Sequence, residues 1–164
     1  MLSDDLIRVN SQFQSTDWAI TMDGFFKENV EKQMIAGGMS IEATETIFAN
    51  AARILSHCPN PALHEELAET GIVIGKVQSG KTSNFISVLA LAFDNGYNMA
   101  IVLGGNTLEL LKQNASRIEE AFHVNAERLT VLKTNDHKTL INSSRIKEFI
   151  ENGRKVIIAV SYTH

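Results

Sequence analysis

Cysteine occurs once in the 164 residues, as Cys58, so no internal disulfide framework can form. Proline occurs twice, as Pro59 and Pro61, and tryptophan once. No apolar run approaches the roughly 18 residues that a membrane-spanning helix needs. The first ten residues, MLSDDLIRVN, are acidic at the start and have no long apolar core, which is not the pattern of a secretory leader. These scarcities together suit a reducing compartment and a cytoplasmic, non-membrane protein. With 44% hydrophobic and 21% charged residues, the composition excludes wholesale disorder, and the length fits one ordinary domain.

The net charge of −4 is unevenly spread. Residues 1–70 hold 4 basic and 11 acidic side chains, a balance of −7, while 71–164 balance at +3. Such a split suggests separate modules. A surplus of three positive charges permits contact with nucleic acid without requiring it.

Residues 1–57 read as a helical extension. Thr16 can cap a helix in which Trp18, Met22, Phe25, Phe26, Val30 and Met34 recur near helical spacing, stopped by Gly37 and Gly38. Ser40 can cap a second, with Ile47, Ala51, Ile54 and Leu55 on one face. The extension is also a candidate surface for a protein partner. Residues 58–70, which contain both prolines, read as a linker. From 71 to 164, strands are expected at Ile72–Ile74, Met99–Leu103, Leu129–Leu132 and Lys155–Val160, and helices near 81–95, 107–122 and 144–152. Apolar strands alternating with helices predict an α/β fold: a parallel sheet flanked by helices.

Gly75-Lys76-Val77-Gln78-Ser79-Gly80-Lys81-Thr82 satisfies the phosphate-loop pattern G-x-x-x-x-G-K-[ST] between an expected strand and an expected helix. A loop that wraps a phosphate turns successive backbone N–H groups inward, and a side chain at Gly75 or Gly80 would obstruct that path. The helix that follows offers unpaired N–H groups and the positive end of its dipole. Lys81 brings a mobile charge to the terminal phosphate oxygens, and the Thr82 hydroxyl can ligate Mg²⁺. Ser83 completes the expected nucleotide contacts. Farther on, Gly104, Gly105 and Asn106 form a turn at a strand end. Thr107 then opens a helix on which Gln113 and Arg117 lie four residues apart. A nucleic-acid backbone is one plausible occupant, and a solvated strand-to-helix turn is the plain alternative.

The Ser79-Gly80-Lys81-Thr82 ending, followed by Thr107, Leu108, Leu111 and Gln113, resembles the first two motifs of superfamily-two helicase ATPases. The stretches GIVIGKVQSGKTSNF, DNGYNMAIVLGG and LELLKQNASRI are more closely similar to endonuclease/ATPase proteins that carry the Z-one domain. The resemblance covers Gly71 to Phe122. It implies a RecA-like phosphate-loop NTPase lobe, using ATP and Mg²⁺, in an ATP hydrolase that acts on DNA in restriction, defence or repair. By the same likeness, Asn106, Thr107, Gln113 and Arg117 would lie on or behind the DNA-facing edge. Ser161-Tyr162-Thr163 would take the place of a third motif, although it lacks the usual Thr-Pro-Gly.

Hydrolysis also needs a carboxylate after an apolar strand to hold Mg²⁺. No expected strand runs into Asp-Glu, and Asp136 lies four residues past its strand. The acid is therefore expected beyond His164, so that the chain reads as the front of a longer ATPase and is a poor catalyst alone. The rival reading is a nucleotide-gated regulatory or adaptor protein whose acidic helices bind a partner. A small-molecule kinase would need a lid that the pattern does not contain. His57, Cys58 and His64 match no four-ligand zinc spacing.

Overall fold

The structure, a computed structural model, describes residues 18–63, 70–73, 81–104, 107–123, 127–134 and 142–160. The elements are α1 (Phe25–Ala36), α2 (Ile41–Ser56), α3 (Lys81–Asp94), β1 (Met99–Leu103), α4 (Leu108–Ala121), β2 (Leu129–Lys133), α5 (Ser143–Glu151) and β3 (Lys155–Val160), with a 3₁₀ turn at Pro61–Leu63. None of the described helices is long and apolar enough to cross a membrane.

The three strands form one parallel sheet in the order β1-β3-β2. Each strand is a short, β-branched-rich run, and β3, which is paired on both sides, is the most deeply buried: Val156, Ile157 and Ala159 are fully enclosed. The chain passes from β1 over β3 to β2, then turns back to β3, and the two connecting helices lie on opposite faces. Leu111 and Ala115 of α4 pack with Val131 and Ala159, whereas Ile146, Phe149 and Ile150 of α5 pack with Leu132, Val156 and Ile158. α3 joins α4 on the first face, where Ile86, Ala90, Leu91 and Phe93 share a core with Ile118, Leu129 and Ile157. The layered α/β architecture expected from the sequence is thus present.

α1 and α2 belong to that same core through Phe26, Val30, Phe48, Ala51 and Leu55. Amphipathic helices must bury one face, and here α3 and α4 supply the surface. Ser40 caps α2 as expected, its hydroxyl accepting from the Ala43 N–H at 3.2 Å. Gly38, at φ +93°, ends α1 in the left-handed region that glycine tolerates, while the Met39 N–H reaches back to the Met34 carbonyl at 3.1 Å.

Two expectations are corrected. The first helix does not run from Thr16 through Trp18 and Met22. Thr16 lies outside the described residues, 18–24 carry no helix, and α1 begins at Phe25. The backbone ahead of it is satisfied across the chain: Asn95 Oδ1 accepts from the Thr21 N–H at 2.8 Å, and Asn95 Nδ2 donates to the Thr21 carbonyl at 2.9 Å. The Trp18 indole N–H is likewise engaged, with the Cys58 carbonyl at 2.8 Å. The second correction concerns Ile72–Ile74. Residues 72 and 73 are not a strand, and their side chains are 67% and 53% exposed; Ile74 lies outside the described residues. An apolar run becomes a strand only where a neighbour pairs its amides, and among the described residues β1 pairs with β3 alone. Ile101 and Leu103, on the face that α5 covers over β2 and β3, are correspondingly 58% and 65% exposed.

Candidate functional site

Lys81 and Thr82 open α3, as the phosphate-loop pattern requires of the helix that follows it. Gly75, Lys76, Val77, Gln78, Ser79 and Gly80 lie outside the described residues, as do Asn106, Asp136 and Ser161-Tyr162-Thr163. Thr82 and Ser83 are half-buried in the first turn of α3, which contains no acidic side chain to oppose an anion.

α3 turns through Asn95 and Gly96 directly into β1, with the Tyr97 N–H bonded to the Ala92 carbonyl at 3.0 Å. A helix joined to a strand by so tight a turn runs back antiparallel to it. Lys81 and Thr82 therefore stand toward the carboxyl end of the sheet, where parallel α/β sheets place ligands. The turn after β1 and the start of α4 lie at that same end.

There the structure shows local packing and capping contacts. Gly104 is buried; its N–H donates to the Val160 carbonyl at 2.8 Å and its carbonyl accepts from Asn114 Nδ2 at 2.8 Å. A Cβ at Gly104 would sit 3.3 Å from Asn114 Nδ2 and 3.5 Å from the Leu111 Cα. This glycine lets α4 pack closely on the strand end. Thr107 is the N-cap of α4, its hydroxyl accepting from the Leu110 N–H at 3.2 Å. Gln113 and Arg117 do share a face of α4, exposed and opposite the buried Leu111, Ala115 and Ile118. Asn114, absent from the sequence-based set, ties the glycine turn to α4. A small amide one position past Gln113, turned toward the strand, was the available signal.

The other end of α3 is built with equal care. Asp94 stands at the negative end of its own helix dipole, an unfavourable place for a carboxylate, but its oxygens accept from the Phe26 and Lys27 N–H groups at 3.0 and 2.7 Å. It thereby caps α1 from another helix. Gly24, the N-cap residue by position, offers no side-chain bond, and a Cβ there would fall inside the Asp94 carboxyl group. Burial outweighs those two amide bonds and holds the Asp94 carboxyl above its ordinary value of 3.8. Lys155 at the start of β3 pulls the other way, and Glu28 of α1 adds a small push upward. Lys155 is itself lowered by burial, partly offset by Asp94, and donates to Asn98 Oδ1 at 2.8 Å.

A raised carboxyl pKa means that the folded state binds the proton more tightly than the unfolded state does. The stability contributed by this linkage is full below pH 3.8 and is lost as pH rises through the higher folded value. Asp94→Asn removes the linkage. The melting temperature of the wild type relative to Asp94→Asn should therefore fall as pH rises from about 4 toward neutrality. A difference that stays flat or grows with pH would contradict this.

No family model, no curated protein and no solved structure matches the chain.

Proposed function

We propose that the chain binds a nucleoside triphosphate, ATP with Mg²⁺, through Gly75–Thr82 and the first turn of α3. In this reading the backbone N–H groups of Gly75, Lys76, Val77, Gln78, Ser79 and Gly80 cradle the phosphates. Lys81 neutralises the terminal oxygens, Thr82 holds Mg²⁺, and Ser83 adds a further first-turn contact. One observation supports the reading: the Lys-Thr pair of the motif opens a helix that runs back along a parallel sheet from its carboxyl end.

The lobe is RecA-like in this proposal, part of a helicase-like ATPase that acts on DNA and is linked to an endonuclease, in keeping with the sequence resemblance. DNA would meet the outer face of α4 through Gln113 and Arg117, beside the turn at Asn106 and Thr107. Turnover requires a metal-holding carboxylate after an apolar strand, and none of β1, β2 or β3 is followed directly by one. A second reading, a nucleotide-gated adaptor, draws support from the packing of α1 and α2 in one core with α3.

Titration of Mg·ATP into the chain tests the first step, with saturable one-site binding as the expected result and no measurable binding as the result that overturns it. DNA-stimulated ATP turnover favours the DNA-acting ATPase. Partner binding that depends on nucleotide, without DNA stimulation, favours the adaptor.

A further inference from the structure

The helix that begins at Lys81 and Thr82 is gripped at its far end, about 20 Å away, by contacts that phosphate binding itself does not need. Four hydrogen bonds cross from the side chains of Asp94 and Asn95 to the backbone of residues 21–27. Asp94 takes the N–H groups of Phe26 and Lys27. Asn95 takes the N–H of Thr21 and gives its amide to the Thr21 carbonyl, matching that backbone as a neighbouring strand would. Asn95 Nδ2 also bonds the Leu91 carbonyl at 2.8 Å, which fastens the amide to its own helix. Gly24 is bare where the carboxyl group sits.

Along its length α3 is held by apolar contacts, with Phe48, Ala51 and Leu55 of α2 in one core with Ile86, Ala90 and Leu91. Apolar burial is non-directional. Hydrogen bonds weaken steeply with distance and angle, so the grip at the last turn adds a directional restraint on the axial position of the helix. An α-helix transmits such a displacement end to end as a stiff rod.

We infer that Asp94 and Asn95 are positioning residues for the head of α3, where the proposed nucleotide contacts of Lys81 and Thr82 begin. By fastening the last turn of α3 to residues 21–27, they set where Lys81 and Thr82 stand at the carboxyl end of the sheet. The inference rests on the nucleotide-binding reading above. It makes the N-terminal segment part of the nucleotide site's frame, since a shift of about 1 Å in a positioned group can cost a large factor in function.

The test uses the full 164-residue chain with Mg·ATP as the probe, below the melting transition of every variant. Asn95→Ala is the main variant, because its Thr21 bonds are exposed and their loss is compatible with folding; Asp94→Ala is the second. Each should weaken Mg·ATP binding by about fivefold or more, the lower range of site-to-site coupling. The loss should also be smaller in a Thr82→Ala background, because the displaced group is then already absent. Lowered melting temperatures with wild-type Mg·ATP affinity would overturn the inference and leave Asp94 and Asn95 purely structural. If binding is lost in Lys81→Ala yet unchanged in both variants, the grip fails and the nucleotide reading stands. If the wild type binds no Mg·ATP, both fall together.

Discussion

Lys81→Ala is expected to weaken Mg·ATP binding at least about a hundredfold, or about 2.7 kcal/mol. In the phosphate-loop reading Lys81 neutralises the terminal phosphate oxygens, and a charge-assisted bond is worth more than a neutral one. Helix N–H groups and the dipole remain in the variant, so some weak phosphate affinity survives. The fold should be spared, since position 81 is the first residue of α3 and alanine has the highest helix propensity. Thr82→Ala should do something different: a smaller loss, confined to the part of the affinity that depends on Mg²⁺. Calorimetric titration of the three proteins, with melting curves alongside, separates these effects. A folded Lys81→Ala protein that titrates like the wild type would remove the basis for the phosphate-loop reading.

How far the sequence announced all this varies from element to element, for identifiable reasons. β1 and β3 have the expected limits because each is written as an unbroken apolar run between polar turns, although only β3 is covered on both faces. α4 was legible because Thr107 caps it and its apolar residues keep helical spacing. The start of α1 was not, because the residue that caps it is Asp94, 70 positions from Gly24 in the chain. No local pattern encodes a cap supplied by another helix. Ile72 and Val73 show the opposite case, in which local composition speaks for a strand and pairing does not follow.

The candidate site divides along the same line. Motif spacing places Lys81 and Thr82 at the head of a helix, and α3 begins there, because a motif's residues are contiguous in sequence. The glycines of the turn after β1 suit a ligand or a plain strand-to-helix turn alike, and Gly104 itself makes room for Asn114 and Leu111 of the same lobe. Glycine reports a close approach without naming what approaches. Asp94 and Asn95 read as an ordinary helix end beside Gly96, and their contacts with residues 21–27 depend wholly on tertiary packing.

That packing converges on one side chain. Phe122 is 2% exposed at the end of α4, with its ring 6.1 Å from Phe26 of α1 and 6.2 Å from Phe93 of α3. Its carbonyl accepts from Asn29 Nδ2 of α1 as well. Phe122→Ala should therefore cost about 3–5 kcal/mol, the range for deleting a buried phenyl ring whose surroundings cannot fully collapse. Out of a total stability of about 5–15 kcal/mol, that is a large share. For a chain of this size it lowers the melting temperature by roughly 6–20 °C. Phe25→Ala is the matched control. That ring is 42% exposed and lies under the Arg128 guanidinium at 4.3 Å, an exposed cation–π contact worth about 0.5–1 kcal/mol. Because Phe122 joins α1, α3 and α4 in a single core, its loss should move one cooperative transition rather than release the N-terminal helices first. Urea unfolding followed by circular dichroism reads the helices as a whole, and Trp18 fluorescence reads the N-terminal segment. Coincident curves shifted together are the expected result. A fluorescence transition that runs ahead of the helical one, or a cost below about 1 kcal/mol, would show that α1 and α2 are not held to the sheet through this ring.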